Sequence, residues 1–280
     1  MSKSSLLTSM AGATAKQGKS NRHIVALSGG VASAWVANWV KNNIEGDKIF
    51  YFNDTKWEHP DLYRFLDDLE MALDITITRD NHGMNPEEIF YKNKMLGSNR
   101  APICSKILKA EQMQKYVIPG DTIYFGIDGG EIHRAARITP IYERLGCECV
   151  FPLIDNRVHR LDMFKFIESI DIVIPKMYRD GFTHNNCSGG CVRAGKPQWA
   201  SLLNTYPEVY ADRERIETEF TLWNNKRRIE KDPLYKPRDY HFMKNITLRE
   251  FREIIENQQY LDFDDDDWQG ECIGICGSMF

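Results

Sequence analysis

The apolar run Ile24-Val25-Ala26-Leu27 passes directly into Ser28-Gly29-Gly30-Val31-Ala32-Ser33, and a helical pattern over residues 34–42 follows. This order of strand, glycine turn and helix constrains the chain more than any other stretch. Two adjacent glycines allow positive φ and close approach of a ligand to the backbone, while Ser28 and Ser33 bring hydroxyls to the unpaired amides of a helix start. Such a start attracts phosphate. The turn is not a Walker loop, because Val31 rather than a lysine follows Gly30, and it lacks the third glycine of a dinucleotide fingerprint. A plain strand-to-helix turn is the alternative reading of these six residues taken alone.

Elements downstream supply the fold class. Lys48-Ile49-Phe50-Tyr51-Phe52 reads as a strand buried on both faces, ending in Asn53-Asp54-Thr55 at the edge where open α/β sheets bind ligands. A helix opens at Pro60 and runs to about residue 72, and residues 74–78 return as a strand. Further strands are expected over 121–127 and 149–155, with helices over 85–93, 105–116, 131–137 and 160–169. This alternation predicts a doubly wound, mainly parallel α/β sheet with right-handed crossovers. Helices over 197–203, 207–223 and 248–257 make the last third a helical, cysteine-rich part. The expected division is a flexible arm over 1–22, a nucleotide-binding domain over 23–180, and a region over 181–280 closed by the C-terminal tail.

A net charge of -4 extends no general invitation to nucleic acid. No apolar run approaches the roughly 20 residues needed to cross a bilayer, and Leu6-Leu7 is too short for a signal peptide. The expectation is a cytoplasmic protein without membrane contact. Its seven cysteines, an odd number, argue against a disulfide framework. Cys187 and Cys191 lie four apart in a glycine-rich loop, and Cys272 and Cys276 repeat that spacing. Glycine lets both sulfurs of a pair turn inward, and iron–sulfur clusters accept this spacing more readily than structural zinc does. Zinc and no metal at all are the alternatives.

Three further features carry two readings each. Cys104, ahead of a helix, is either a thiolate favoured by the helix dipole or a small buried residue. Arg134 and Arg137, three apart, either hold phosphate or sulfate on a shared face or line a solvated one. Lys226-Arg227-Arg228, beside Trp223 in the polar stretch 224–238, either touch a nucleic acid or anionic partner or form a solvated helix end. Cys147 and Cys149 alternate along a strand, where packing explains them.

Taken in order, the SGGxxS turn, Asn53-Asp54-Thr55, Cys104 before a lysine-containing helix, Phe125-Gly126-Ile127 with the arginines after it, residues 150–156 and Tyr178-Arg179-Asp180-Gly181 resemble the phosphoadenosine-phosphosulfate reductase family. The resemblance covers roughly residues 22–194, and residues 185–217 look like a bacterial and phage branch with extra cysteine pairs. It implies the adenine nucleotide α-hydrolase-like fold and a PP-loop holding the phosphates of ATP or a related adenine nucleotide. Ser28, Gly29, Gly30, Ser33, Asp54, Thr55, Gly126, Arg134 and Arg137 would bind the nucleotide, with Asp54 placing Mg²⁺ or nucleotide. The loop near Cys187 looks like the place where the iron–sulfur reductases carry a pair of ligands. A 4Fe-4S cluster held by Cys187, Cys191, Cys272 and Cys276 is therefore expected. Those reductases use C-x₂-C and two adjacent cysteines, whereas here the pair is C-x₃-C and Cys104 stands between Ile103 and Ser105.

The function expected is ATP cleavage to AMP and pyrophosphate, activating an acceptor for sulfur transfer, with Asp54, Cys104 and Cys272 as catalytic candidates. The acceptor would be a nucleic acid or a small molecule, with a sulfur donor protein and a homo-oligomer as further partners. Reduction of a sulfonucleotide by the tail Cys272 or Cys276 is the second reading, and nucleotide binding without catalysis is the third.

Overall fold

The computed structural model describes residues 22–257. Five parallel strands form one sheet in the order β3-β2-β1-β4-β5. They are β1 (Arg22–Leu27), β2 (Asp47–Asp54), β3 (Ile77–Asn81), β4 (Thr122–Phe125) and β5 (Glu148–Val150). Central β1 pairs Ile24 with Ile49 of β2 on one side and with Ile123 of β4 on the other. Its residues alternate between two cores. Val25 and Leu27 pack with Phe50 and Phe52 beneath α1 (Val31–Asn43), α2 (Pro60–Leu73) and, later in the chain, α8 (Arg160–Ser169). Ile24 and Ala26 pack with Tyr51, Ile123 and Phe125 on the opposite face. Met113 and Tyr142 cover that face from α5 (Glu111–Tyr116) and α6 (Ile132–Glu143). Helices on both faces of a parallel sheet make the doubly wound α/β fold, and burial on both sides is why the central strands read as unbroken apolar runs.

Local chemistry sets the element ends. His59 caps α2 by accepting from Asp61 N at 3.0 Å, with Pro60 in the first turn. Asp74 ends the helix in a left-handed conformation, φ 46°, its amide bonded to the carbonyls of Glu70 and Met71. The expected strand over 74–78 is displaced to β3 for this reason, since Asp74 serves as a helix cap and cannot start an extended segment. Asn85 and Glu88 form a reciprocal capping box on α3 (Pro86–Asn93). The expected strand over 121–127 contracts to β4 because buried Asp121 is held by Arg22 at 2.6 Å and by the Ile118 amide. After β5, Pro152 opens the short helix α7 (Pro152–Asp155) where a strand was expected to continue.

Cys104 does not precede its helix but lies inside it. The helical segment begins as α4 (Ile103–Ser105), widens into a π-helix over Lys106–Ala110 and continues as α5. Further on come α9 (Lys176–Arg179), α10 (Lys196–Thr205), α11 (Pro207–Lys231) and α12 (Leu248–Glu256). Helix α11 runs past the expected end at residue 223, with Asn224 buried and Arg228 and Lys231 in a last turn whose dipole favours cations. A third core joins these helices to the sheet-bearing part of the chain: Trp199, Phe220, Phe242 and Phe251 pack with Trp57, Phe90, Cys104 and Leu108. No helix among the described residues is long and apolar enough to cross a membrane.

Candidate functional site

The glycine turn sits at the carboxyl end of β1. Ser33 Oγ accepts from Ser28 N at 3.1 Å, lies 3.1 Å from Ser28 Oγ and donates to the Gly30 carbonyl at 3.0 Å. The two serines thus lock the loop into a ring. Gly29 has φ +77°, and a Cβ there would meet Leu62 at 2.6 Å. Gly30 is the N-cap of α1, with no side-chain cap and no acidic residue in the first turn. The first amides of α1 thus carry no capping carboxylate, which suits them to an anion. At Gly126 a Cβ would lie 2.9 Å from Ser33 N and 3.0 Å from its Cα. Glycine is therefore needed where the end of β4 meets the loop, and the backbone atoms it touches have no room to yield.

Around this loop the expected residues fall into separate settings. Asp54 Oδ1 accepts from Lys56 N at 2.7 Å and from the Tyr63 hydroxyl at 2.8 Å. Burial, then that bond to Asp54, holds the Tyr63 hydroxyl protonated well above its ordinary range. Arg134 is buried and paired with Glu131, whereas Arg137 is exposed and bonds the His133 carbonyl. The two arginines share a side of α6 but not a setting, because buried Arg134 is turned to Glu131 while Arg137 folds back on its own helix. Cys147 is buried behind β5 and Cys149 half-buried on it. Burial raises both thiols, that of Cys149 to about 12.

Thr55, Cys104, Lys109, Cys187, Cys191 and Arg193 line one cavity together with Trp57 and Ser105. The buried carboxylate of Glu58 organises it. Glu58 Oε1 accepts from the Thr55 hydroxyl at 2.9 Å and from Lys109 Nζ at 3.3 Å, and Oε2 accepts from Cys187 N at 2.7 Å. The Glu58 and Lys109 side chains are 0% and 3% exposed. Cys187, Ser188 and Gly189 all have positive φ, near 51°, 52° and 82°. Two non-glycine residues in the left-handed region mark a turn held by its surroundings. Ser188 Oγ donates to the Trp57 carbonyl at 3.1 Å, and Asn185 Nδ2 donates to the Gly29 carbonyl at 3.1 Å. The cysteine turn is consequently bonded to the glycine loop itself. Arg213 of α11 closes the far side, its guanidinium 3.6 Å above the Trp57 ring. Burial pulls its pKa down, against Asp212 and the two cysteines of the turn.

Cys104 thus joins Cys187 and Cys191, a grouping that the expected four-ligand set did not include. A metal site needs sulfurs converging within about 2.3 Å of one point. Among the described residues no three His, Cys, Asp or Glu side chains are placed to hold a metal ion. The three cysteines frame a cavity instead of meeting at one point, so the described residues alone do not form a site for a single zinc ion. Cys272 and Cys276 lie outside the described residues.

Sequence reasoning missed Glu58, Lys109, Asn185 and Arg213. Glu58 carries one signal, a carboxylate wedged between Trp57 and the capped start of a helix at His59-Pro60. Lys109 carries none, since a π-turn has no clear sequence signature. A parallel sheet wound on both faces, with a serine-locked glycine loop at the end of its central strand, defines a nucleotide-binding α/β protein of the PP-loop type. The model of the phosphoadenosine phosphosulfate reductase domain matches residues 22–194, and the chain belongs to that family. No curated protein and no solved structure matches the chain.

Proposed function

We propose that this protein is an adenine-nucleotide-dependent sulfur-handling enzyme that cleaves ATP to AMP and pyrophosphate and so activates an acceptor for sulfur transfer. The observation that carries this reading is the bond from Asn185 to the Gly29 carbonyl, which joins the cysteine turn to the phosphate loop. Ser28, Gly29, Gly30 and Ser33, with the first amides of α1, hold the phosphates. An acceptor nucleophile attacks the α-phosphorus, the bond to the bridging oxygen breaks, and pyrophosphate leaves with its charge held by the loop. Gly126 keeps β4 close enough for the loop to hold its shape. A sulfur nucleophile then displaces AMP, and the cavity of Cys104, Cys187 and Cys191 is where that sulfur is handled. The test is exchange of labelled pyrophosphate into ATP, and pyrophosphate release with candidate acceptors. Loss of both in Ser33→Ala, with folding intact, supports the reading, and no release from the wild-type protein with any acceptor overturns it.

Family membership favours a second reading, reduction of a sulfonucleotide. Sulfite release from phosphoadenosine phosphosulfate or its unphosphorylated relative, driven by a dithiol and lost in Cys272→Ser, would put that reading first.

A further inference from the structure

The C-terminal half of α11 differs from its first half. Arg213 and Arg215 there are paired with carboxylates, Arg215 with Glu87, Asp212 and Glu219 together. Beyond Asn224 the pattern stops. Lys226, Arg227, Arg228, Lys231, Lys236 and Arg238 fall within residues 225–240, against three carboxylates, in a chain whose net charge is -4. None of these six forms an ion pair with a described carboxylate. Three of the guanidinium groups lie over aromatic rings instead: Arg227 on Trp223 at 5.5 Å, Arg228 on Tyr235 at 5.2 Å and Arg238 on Tyr240 at 5.0 Å.

The segment after α11 is built to keep this face in place. It folds back along the helix, where Asn225 Nδ2 donates to the Arg238 carbonyl at 2.9 Å and its Oδ1 accepts from Arg238 N at 3.2 Å. Thr221 Oγ1 likewise accepts from Tyr240 N at 3.2 Å. Asp232 is occupied in turning the chain, accepting from Leu234 N at 3.0 Å. Large apolar side chains stand open beside the cations, Leu222 at 66% and Leu234 at 89% exposure.

We infer that this face binds a single-stranded nucleic acid. Arg227 spends Nε and Nη2 on Asn224 Oδ1 at 3.2 and 2.6 Å and so braces the face, while exposed Lys226, Arg228, Lys231 and Lys236 turn their charge to solvent and to phosphate, and the exposed leucines and ring edges offer apolar surface to unstacked bases. An acidic protein segment would match the charge but leave the apolar surface without a use. A duplex would match the charge but keep its bases stacked inside. The face lies outside the matched family domain and does not depend on the ATP reaction, so it stands or falls separately from the function proposed above.

The experiment uses the full chain without nucleotide and follows the fluorescence anisotropy of a labelled oligonucleotide of about 20 residues. DNA and RNA strands of one mixed sequence are compared with their duplexes and with competing polyglutamate. The expected result is binding of a single strand near 50 mM salt that weakens steeply as salt rises, roughly 0.7 log units per log unit for each phosphate contact. The triple variant Lys226→Glu, Arg228→Glu, Lys236→Glu should bind at least about tenfold more weakly, with a salt slope shallower by about 2. All three side chains are on exposed residues, so the fold should hold, which circular dichroism checks. Lys165→Glu, at an exposed position of α8, should bind like wild type. A difference between the DNA and RNA arms names the strand. The inference is overturned if no strand binds, if the triple variant binds like wild type, if Lys165→Glu loses as much, if duplexes bind at least as tightly, or if polyglutamate competes equally well.

Discussion

Removing the Glu58 carboxylate should loosen the cysteine cavity more than any other single change. In Glu58→Ala the ammonium of Lys109, itself 3% exposed, loses its buried counter-ion, and the Cys187 amide and Thr55 hydroxyl lose their acceptor. Breaking a buried pair by removing one partner costs about 3–5 kcal/mol. Set against a total stability of about 5–15 kcal/mol, this is a large share. At roughly 2–4 °C per kcal/mol for a chain of this size, the melting temperature should fall by about 6–20 °C. The physics is specific, because Lys109→Met in the same background removes the buried charge that Glu58 balances. The double variant should therefore be less destabilised than the sum of the singles, by about 2 kcal/mol. Urea unfolding of the four proteins at pH 7 gives the cycle, and alkylation of Cys187 followed by mass spectrometry reports the local change. A loss below about 1 kcal/mol in Glu58→Ala, or strict additivity in the cycle, would refute the view that a buried ion pair holds the turn.

Two other outcomes follow from the geometry. Gly126→Ala forces a methyl against the Ser33 backbone at 2.9 Å, and overpacking of about 1–3 kcal/mol should appear as a 5- to 150-fold loss of ATP affinity, read by calorimetry. Unchanged affinity would show that the end of β4 does not shape the loop. Glu217, buried on α11, is raised to about 7 by burial, although the Phe242 and Leu248 amides donating to it pull the other way. Its folded pKa exceeds the ordinary carboxylate value of about 4.3, so the native state binds the proton more tightly. This contribution is fully present below the ordinary value and is lost as pH rises through 7. Its upper size is about 4 kcal/mol. Glu217→Gln should flatten the urea midpoint between pH 5 and pH 8, and an unaltered slope would remove Glu217 as its source.

What the sequence disclosed was set by how local each signal is. Residues 22–33 carry strand, turn and helix start within a dozen positions, and the structure keeps all three. Helix α8 falls on its expected bounds because its apolar spacing and start are self-contained. The strand at 74–78 slipped because one residue, Asp74, chose a left-handed cap, a decision made by α2 and invisible to alternation. The cavity was only half legible. Cys187 and Cys191 announce themselves by spacing, but Cys104, Glu58 and Arg213 arrive from three distant elements and meet only through tertiary packing. Pairing of Cys187 and Cys191 with Cys272 and Cys276 rests on matching intervals and on the family resemblance, and the two tail cysteines lie outside the described residues.

The π-turn between α4 and α5 has a consequence of its own. Hydrogen bonding from residue i to i+5 stacks side chains five apart, as an α-helix stacks those four apart, and Cys104 and Lys109 are five apart and line the same cavity. The segment therefore behaves as an insertion of a single residue whose surplus is absorbed by a wider coil. Deleting one residue from 106–110 would let the coil tighten to an α-helix, with about a hundred degrees of rotation passed to everything on one side of the cut. A chain shortened in this way could keep its helix and its sheet and still turn the lysine away from the sulfurs. Length at this one point acts as a dial on side-chain direction, independent of which amino acids occupy it.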